Sequence, residues 1–417
     1  MTTKQFFFQR ALKASIGSLA AASVMFTSLG TGVANAEAMT TIDDPVFERH
    51  LIWLGLDSGV ADGEVPTKNI ANVKTLDLSN LRDLGLYGLD FGDFKSLETL
   101  NLTNVTSLQS LTIGEYSGIF GTSSRSKLKS LILTGSKIRS ITLRGTQLTT
   151  LDLSGLVNVV SLEVTSSELT SINLRGAINI EYLSLSTNQL SSIDLSSQTS
   201  LSSLSLPYNK LSSLNVSKNI NLKSLEVSGN KLKNLDVSGL PLLTSLSASQ
   251  NKISSIDLSK NPMLTTVSLS SNKLKKLDIS KNVELAALQI EGNNLRTLDV
   301  SGASNLTWLE ISANNISKIS LVNNKNLQVL IIANNPIAKL EVSGFRHLLA
   351  VDIRNTEIRV IDLRDSLIEN QETAWFGDGF FGLDSRGTHA KVLVNSPELA
   401  RLKWQTKTGA NVTFATK

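Results

Sequence analysis

One frame, L-x-x-L-x-L-x-x-N, restarts at Val159, Ile180, Leu201, Leu222, Leu243, Leu264, Leu285, Leu306, Leu327 and Leu348, a step of 21 residues each time. Each unit contains the frame twice, as a ten-residue and an eleven-residue half: LTTVSLSSNK, then LKKLDISKNVE. A period of this length means stacked coils, because one unit cannot bury its apolar side alone and must cover it with its neighbours. Each L-x-L is a short strand with alternate side chains pointing inward, and Ser, Gly and Asn make the turns between. Ten such coils stack into a rod of roughly 50 Å at about 4.8 Å per coil. Upstream, Leu128, Ile138 and Leu148 open further half-units, and the resulting 31-residue step to Val159 reads as one inserted half-repeat.

The unit L-x-x-L-x-L-x-x-N-x-L resembles the leucine-rich repeat signature. Its nested form, with L-D-[LIV]-S in the second half, is similar to the bacterial class called IRREKO and to internalin-like surface or secreted proteins. The likeness runs over residues 73–363 and departs in one respect: the chain has no cysteine, whereas some relatives place one in the Asn column. It implies a leucine-rich repeat solenoid, a strand-dominated member of the α/β class, with stacked parallel β coils and short strands in both half-repeats. It also implies a helical N-terminal cap and a mixed C-terminal cap.

The expected division is a signal peptide at 1–36, an N-terminal helical cap at 37–72, the solenoid at 73–364 and a C-terminal cap at 365–417. Lys4, Arg10 and Lys13 flank the start, a Ser/Gly/Ala-rich apolar stretch follows, and Ala34-Asn35-Ala36 supplies a cleavage site. VKTLDLSN opens a longer first repeat, from Val73 to Leu97, and 114–127 breaks the frame as a loop. Beyond the aromatic-rich stretch after Leu363, KVLV and NVTF read as strands. Between them Ser396 and Pro397 start a short helix.

Removing the leader changes the charge argument. The whole chain has 40 basic and 36 acidic residues, but the leader holds three basic groups and no acid, leaving 37 against 36. Apparent basicity is therefore no argument for a nucleic-acid partner. The leader is too rich in small residues for a convincing membrane span, so no stable membrane insertion is expected after cleavage, and the C-terminus shows no sorting motif. The expectation is a monomer, secreted or held in the cell envelope. Without cysteine, stability must come from packing.

Two polar columns repeat. Asn188, Asn209, Asn230, Asn251, Asn272, Asn293, Asn314 and Asn335 form an uninterrupted structural ladder, expected to satisfy turn backbone rather than bind a ligand. Asp152, Asn173, Asp194, Asn215, Asp236, Asp257, Asp278, Asp299, Ser320, Glu341 and Asp362 form a second column, pointing outward. A cation ladder would need several oxygens converging on each ion. One carboxylate per coil fits a solvated, hydrogen-bonded face better, and no metal or cofactor is expected. DSGVADGE in the cap resembles a calcium loop but lacks its middle oxygen ligand.

Catalytic chemistry is thinly supplied. His50, His347 and His389 are far apart in sequence, and His389, near Asp378, Asp384 and Ser385, has no nucleophile-elbow context. Recognition is the better reading. The outward positions of the first half-repeats are mostly small (Ser203, Ser205, Ser224, Ser245, Ser247, Thr266, Ser268), so exceptions stand out. Trp308 and Glu310, with Val329 and Ile331 one coil on, are expected as an exposed patch rimmed by Gln289, Glu291 and Asp352. Tyr182 and Tyr208 are lesser candidates. The alternative is that Trp308 packs beneath the C-terminal segment. The chain is thus expected to bind a protein or glycan through the concave face, without catalysis, in adhesion or host interaction. A cell-envelope scaffold or a β-helix carbohydrate-active enzyme is the alternative.

Overall fold

The computed structural model describes residues 37–84, 89, 91–114, 125–366, 381–382, 390–395, 397 and 412–416. The signal-peptide region 1–36, most of the 114–127 loop and the short helix expected after Ser396 lie outside these residues.

Alternation of inward leucines and outward small residues puts the first half-repeats into short strands. β5 (Ser110–Ile113), β7 (Ser140–Arg144), β9 (Ser161–Thr165) and β11 (Tyr182–Ser184) begin one long parallel sheet. It continues through β12 (Ser203–Ser205), β13 (Ser224–Glu226), β14 (Ser245–Ser247), β15 (Thr266–Ser268) and β16 (Ala287–Gln289). It ends with β17 (Trp308–Glu310), β18 (Val329–Ile331), β19 (Ala350–Asp352) and β21 (Phe381–Gly382). From β9 to β19 the register advances one whole repeat per strand, so Tyr182 pairs with Ser203 and Ala287 with Trp308. Equivalent side chains therefore stack in straight columns. The inward ones, Leu183, Leu204, Leu225, Leu246 and their equivalents, are fully buried.

The second half-repeats run along the opposite side of each coil. They form strands only near the ends: β3 (Thr75–Asp77), β4 (Thr99–Asn101) and β6 (Ser130–Ile132) in one sheet, and β8 (Thr150–Asp152) with β10 (Ser171–Asn173) in another. A third sheet at the far end joins β20 (Val360–Asp362), β22 (Ala390–Leu393) and β23 (Val412–Ala415). In between, coils are fastened on this side by single main-chain bonds such as Lys210 N–H to Leu190 C=O, 2.8 Å. The inward residues Ile193, Leu214 and Ile256 are only partly buried there. Side chains on the strand side lock closely enough for a continuous ladder; on this side they do not.

The strand pairing corrects one expectation. β5 pairs with β7, while β6, between them in the chain, pairs with β4 on the other side. Leu128 thus opens the second half of the coil begun at Leu108, and no half-repeat is inserted. A lone half would put every later strand on the wrong face, so the extra length is accommodated within one coil instead. The 24-residue first repeat is as expected, with Thr75 paired to Thr99.

Ahead of the coils stands the helix Pro45–Trp53, capped by Asp44, whose Oδ1 accepts the amides of Val46 and Phe47. A five-residue helix, Thr67–Ala71, and an antiparallel pair, β1 (Met39–Thr41) and β2 (Glu64–Pro66), complete this end. Phe47, Phe91 and Phe94 pack together beneath it, with centroids 5.8 to 6.0 Å apart. No helix among the described residues is long and apolar enough to cross a membrane.

Candidate recognition face

The Asn ladder is interior chemistry. Asn251 is typical: its amide donates to the carbonyls of Val227 (3.0 Å) and Ala248 (3.1 Å), and its Oδ1 accepts the amide of Leu232 (2.9 Å). The same three-way bridge recurs at Asn188, Asn209, Asn230, Asn272, Asn293, Asn314 and Asn335. Every one is buried and has its amide and carbonyl occupied by backbone, so none is available to a ligand.

The second half of the coil holds a buried amide column that escaped the sequence reading: Gln198, Asn219, Asn261, Asn282 and Asn324. Asn219 donates to the carbonyls of Leu195 and Gln198, but its Oδ1 has no partner, as is also true of Asn261, Asn282 and Asn324. The signal was the Asn of SKN in the second half-repeat, which recurs at the same period but is replaced by Leu240 and Ala303 in intervening coils.

Outside it runs the acidic column. The Oδ1 of Asp194, Asp236, Asp257, Asp278 and Asp299 each accepts the amide of the serine two residues on, at 2.8 to 3.0 Å. The amide and hydroxyl of that serine hold each carboxyl below its usual range. Asn215 closes the same turn without charge. In the cap, DSGVADGE turns its amides toward a carboxylate: buried Glu48 accepts those of Asp62 (2.6 Å) and Gly63 (3.0 Å). Among the described residues, no group of three or more His, Asp or Glu side chains is arranged to hold a metal. His50 bonds the carbonyl of Asp77, and His389 lies outside the described residues.

The outward side of the long sheet divides in two. From β12 to β16 its side chains are half-buried and mostly small, Glu226 of β13 and Gln289 of β16 being the exceptions. Hydroxyls link neighbouring coils here: Ser228 to Ser247 at 2.9 Å and Ser249 to Ser268 at 2.8 Å. Tyr182 stands exposed at one end (41%), with Gln289 and Glu291 half-buried at the other. From β17 onward the face closes. Glu310 is 3% exposed, Val329 6%, Ile331 4%, and Asp352 and Ala350 are buried as well; Trp308 is half-buried against this cluster.

The expectation of an exposed Trp308 patch is thereby corrected. Val329, Ile331 and Ala350 form a second small core on the outer side of the sheet, separate from the interior. Glu310 accepts a hydrogen bond from Gln289 (3.3 Å), and Asp352 is gripped by the Arg354 guanidinium at 2.6 to 3.2 Å. The signal was present in the sequence. VLIIA at 329–333 breaks the alternation kept by SLSLP and SLEVS, and an uninterrupted apolar run marks a parallel strand buried on both sides.

Similar solved structures share this stacking. The functional domain of InlJ from Listeria monocytogenes matches with a TM-score of 0.54 and 21% identity, over 79% of this chain and 83% of that one. The fold is a leucine-rich repeat solenoid. A leucine-rich repeat protein of Leptospira interrogans matches at 0.51 with 20% identity, over 71% of this chain and 91% of its own. The plant peptide hormone receptor RGFR1, solved in complex with RGF2, matches at 0.51 with 20% identity, over 74% of this chain and 59% of the receptor. No protein-family model matches, and no curated protein does. The InlJ domain is described as including a cysteine ladder; this leucine-rich repeat has no cysteine and stacks asparagines along its interior.

Proposed function

We propose that the chain is an exported, non-enzymatic recognition module of the nested 21-residue class, binding a protein or glycan through the open part of its strand face, in adhesion or host contact. The observation that carries this is the division of the sheet. Five strands, from β12 to β16, present a half-buried surface of mostly small hydroxyl side chains, interrupted by the carboxylate of Glu226 in β13 and bordered by Tyr182 and by Gln289 and Glu291. Packed main chain holds that surface in place, so docking on it requires little ordering. The closed end, with Trp308 at its margin, limits the surface on one side. The leader pattern in 1–36 supports export, and the receptor caught in complex with RGF2 supports a binding use of the same fold.

The test places bulk on the face. Ser205→Arg and Ser247→Arg stand in one outward column, on β12 and β14, either side of Glu226 in β13. With partners captured from secreted and surface fractions or from a glycan array, these variants should lose the ligand while keeping the melting temperature. Retention of every captured partner would overturn the reading.

A further inference from the structure

We propose that one edge of the solenoid, lined by Lys210, Lys231, Lys252 and Lys273 with Tyr208 at its head, binds a linear acidic polysaccharide. The four lysines occupy the residue after the Asn ladder in four consecutive coils, and all are exposed. The backbone N–H of each is bonded to the preceding coil at 2.8 Å, to Leu190, Leu211, Leu232 and Ile253 respectively. Their backbones are thus pegged one per coil, about 5 Å apart, over a length of about 15 Å. Among the described residues none of the four forms an ion pair; Lys210 Nζ donates to Gln189 Oε1 at 3.0 Å. Lys233 and Lys275, two residues further on in their coils, are exposed too. The aspartates of these coils, Asp236, Asp257 and Asp278, are held by their own serine turns on the opposite side, where Lys260 and Lys281 reach Asp257 and Asp278, while Glu226 stands on the strand face in β13.

Cations stacked at this spacing repel one another, so the row disfavours folding unless an anion shares it. Gln189 precedes it and Asn294 and Asn315 follow it, which confines it to these coils.

Tyr208 supplies the second observation. Its backbone is left-handed (φ +55°), a conformation an aromatic residue seldom adopts, and its side chain is 42% exposed. The next coil has Gly229 in the equivalent position, where an added Cβ would stand 2.6 Å from the Tyr208 ring. The glycine gives the ring room to lie over the next coil at Gly229, two residues before Lys231, while Tyr208 itself stands two residues before Lys210. A stacking surface at the head of a charge row fits a chain of sugar rings bearing carboxylates or sulfates. Single-stranded nucleic acid would call for successive aromatics along the path, and only one is present. A membrane would call for apolar side chains among the lysines, whereas exposed Ile220, Met263 and Val283 lie at the opposite turn of the coil.

The experiment measures binding of the purified full chain to heparin and to polygalacturonate, with dextran, oligothymidylate and phosphatidylglycerol vesicles as comparisons. Binding to at least one acidic polysaccharide should weaken by about tenfold or more between low and physiological salt, as counterion release requires. Replacing all four lysines by Gln should reduce the affinity tenfold or more, and Tyr208→Gly should reduce it severalfold with the salt dependence intact. The control Lys218→Gln/Lys260→Gln/Lys281→Gln, at the opposite turn, should leave it unchanged, with melting temperatures confirming that all variants fold. Absence of polysaccharide binding at low salt, equal loss in the control, or tighter binding to oligothymidylate or vesicles would each overturn the proposal. Ser205→Arg and Ser247→Arg should have no effect on this binding, so failure here is distinct from failure of the strand-face reading.

Discussion

Two columns of buried amides run through the middle coils of this solenoid, and they differ in what their oxygens do. In the first, through Asn188, Asn251 and Asn335, the amide joins two carbonyls and the oxygen takes a backbone N–H. In the second, through Asn219, Asn261 and Asn324, the amide again joins two carbonyls, but the oxygen is buried without a partner. The first column is Asn in eight consecutive coils, while the second admits Gln198, Leu240, Ala303 and Phe345 at its positions. A side chain that answers every backbone group around it has no substitute of another type. One that leaves its own oxygen stranded gains little over a leucine, since the unpartnered atom offsets what the amide contributes.

The largest effect expected from this contrast is at Asn251. Asn251→Ala strands the amide of Leu232 and removes donors from two carbonyls, all inside the coil stack. At about 1–3 kcal/mol per buried unsatisfied group, a loss of about 3–5 kcal/mol is expected. Chemical denaturation should show it, and a loss below about 1 kcal/mol would break the distinction between the columns. Next comes Glu48, the cap's equivalent of a fully engaged side chain. Glu48→Leu keeps an apolar stem but abandons the amides of Asp62 and Gly63, for about 2–3 kcal/mol. Because only nearest neighbours touch in such a stack, hydrogen exchange should rise in the cap and first coils before the central ones.

Asn261→Leu should change stability by no more than about 1 kcal/mol in either direction, since Leu240 already fills the equivalent position one coil earlier. A loss as large as that of Asn251→Ala would show that partner atoms matter less than the presence of an amide.

The same contrast explains how far the sequence could be read. The first Asn column, the inward leucines and the outward carboxylates were legible because each is dictated by one coil and repeated in the next. Features that depend on what lies beyond the repeat were not. VLIIA in β18 has the inward residues of any other coil, and only its outward Val329 and Ile331 show that a second core forms there. The coil from Leu108 to Lys137 was misread for the same kind of reason. Leu128 satisfies the half-repeat frame perfectly, but the frame is the same for both halves and does not state which side of the coil a strand joins. The lysine row was visible at 210, 231, 252 and 273, but whether those charges were paired across coils depends on where the acids stand, which the fold decides.

The smallest effect at neutral pH, and the one most specific in form, concerns the outer column. The carboxyls of Asp236, Asp257, Asp278 and Asp299 sit below their ordinary range, held chiefly by the amide and hydroxyl of the next serine but one. Groups depressed in the folded state stabilise it above their unfolded value of about 3.9, and lose that contribution as pH falls through their folded values. Asn173 and Asn215 close the same turn through an uncharged Oδ1. Replacing all four aspartates by Asn should therefore leave the melting temperature near pH 7 almost unchanged. Below about pH 4 the variant should lose less stability than the parent as acid is added. If its acid branch falls as steeply as the parent's, the proton-linked stability resides elsewhere, with the Arg-gripped Asp362 as the next group to examine. If the variant is instead destabilised at pH 7, the column's charge matters to the folded chain beyond closing its own turns, and the division into engaged interior amides and replaceable outer carboxylates has to be redrawn.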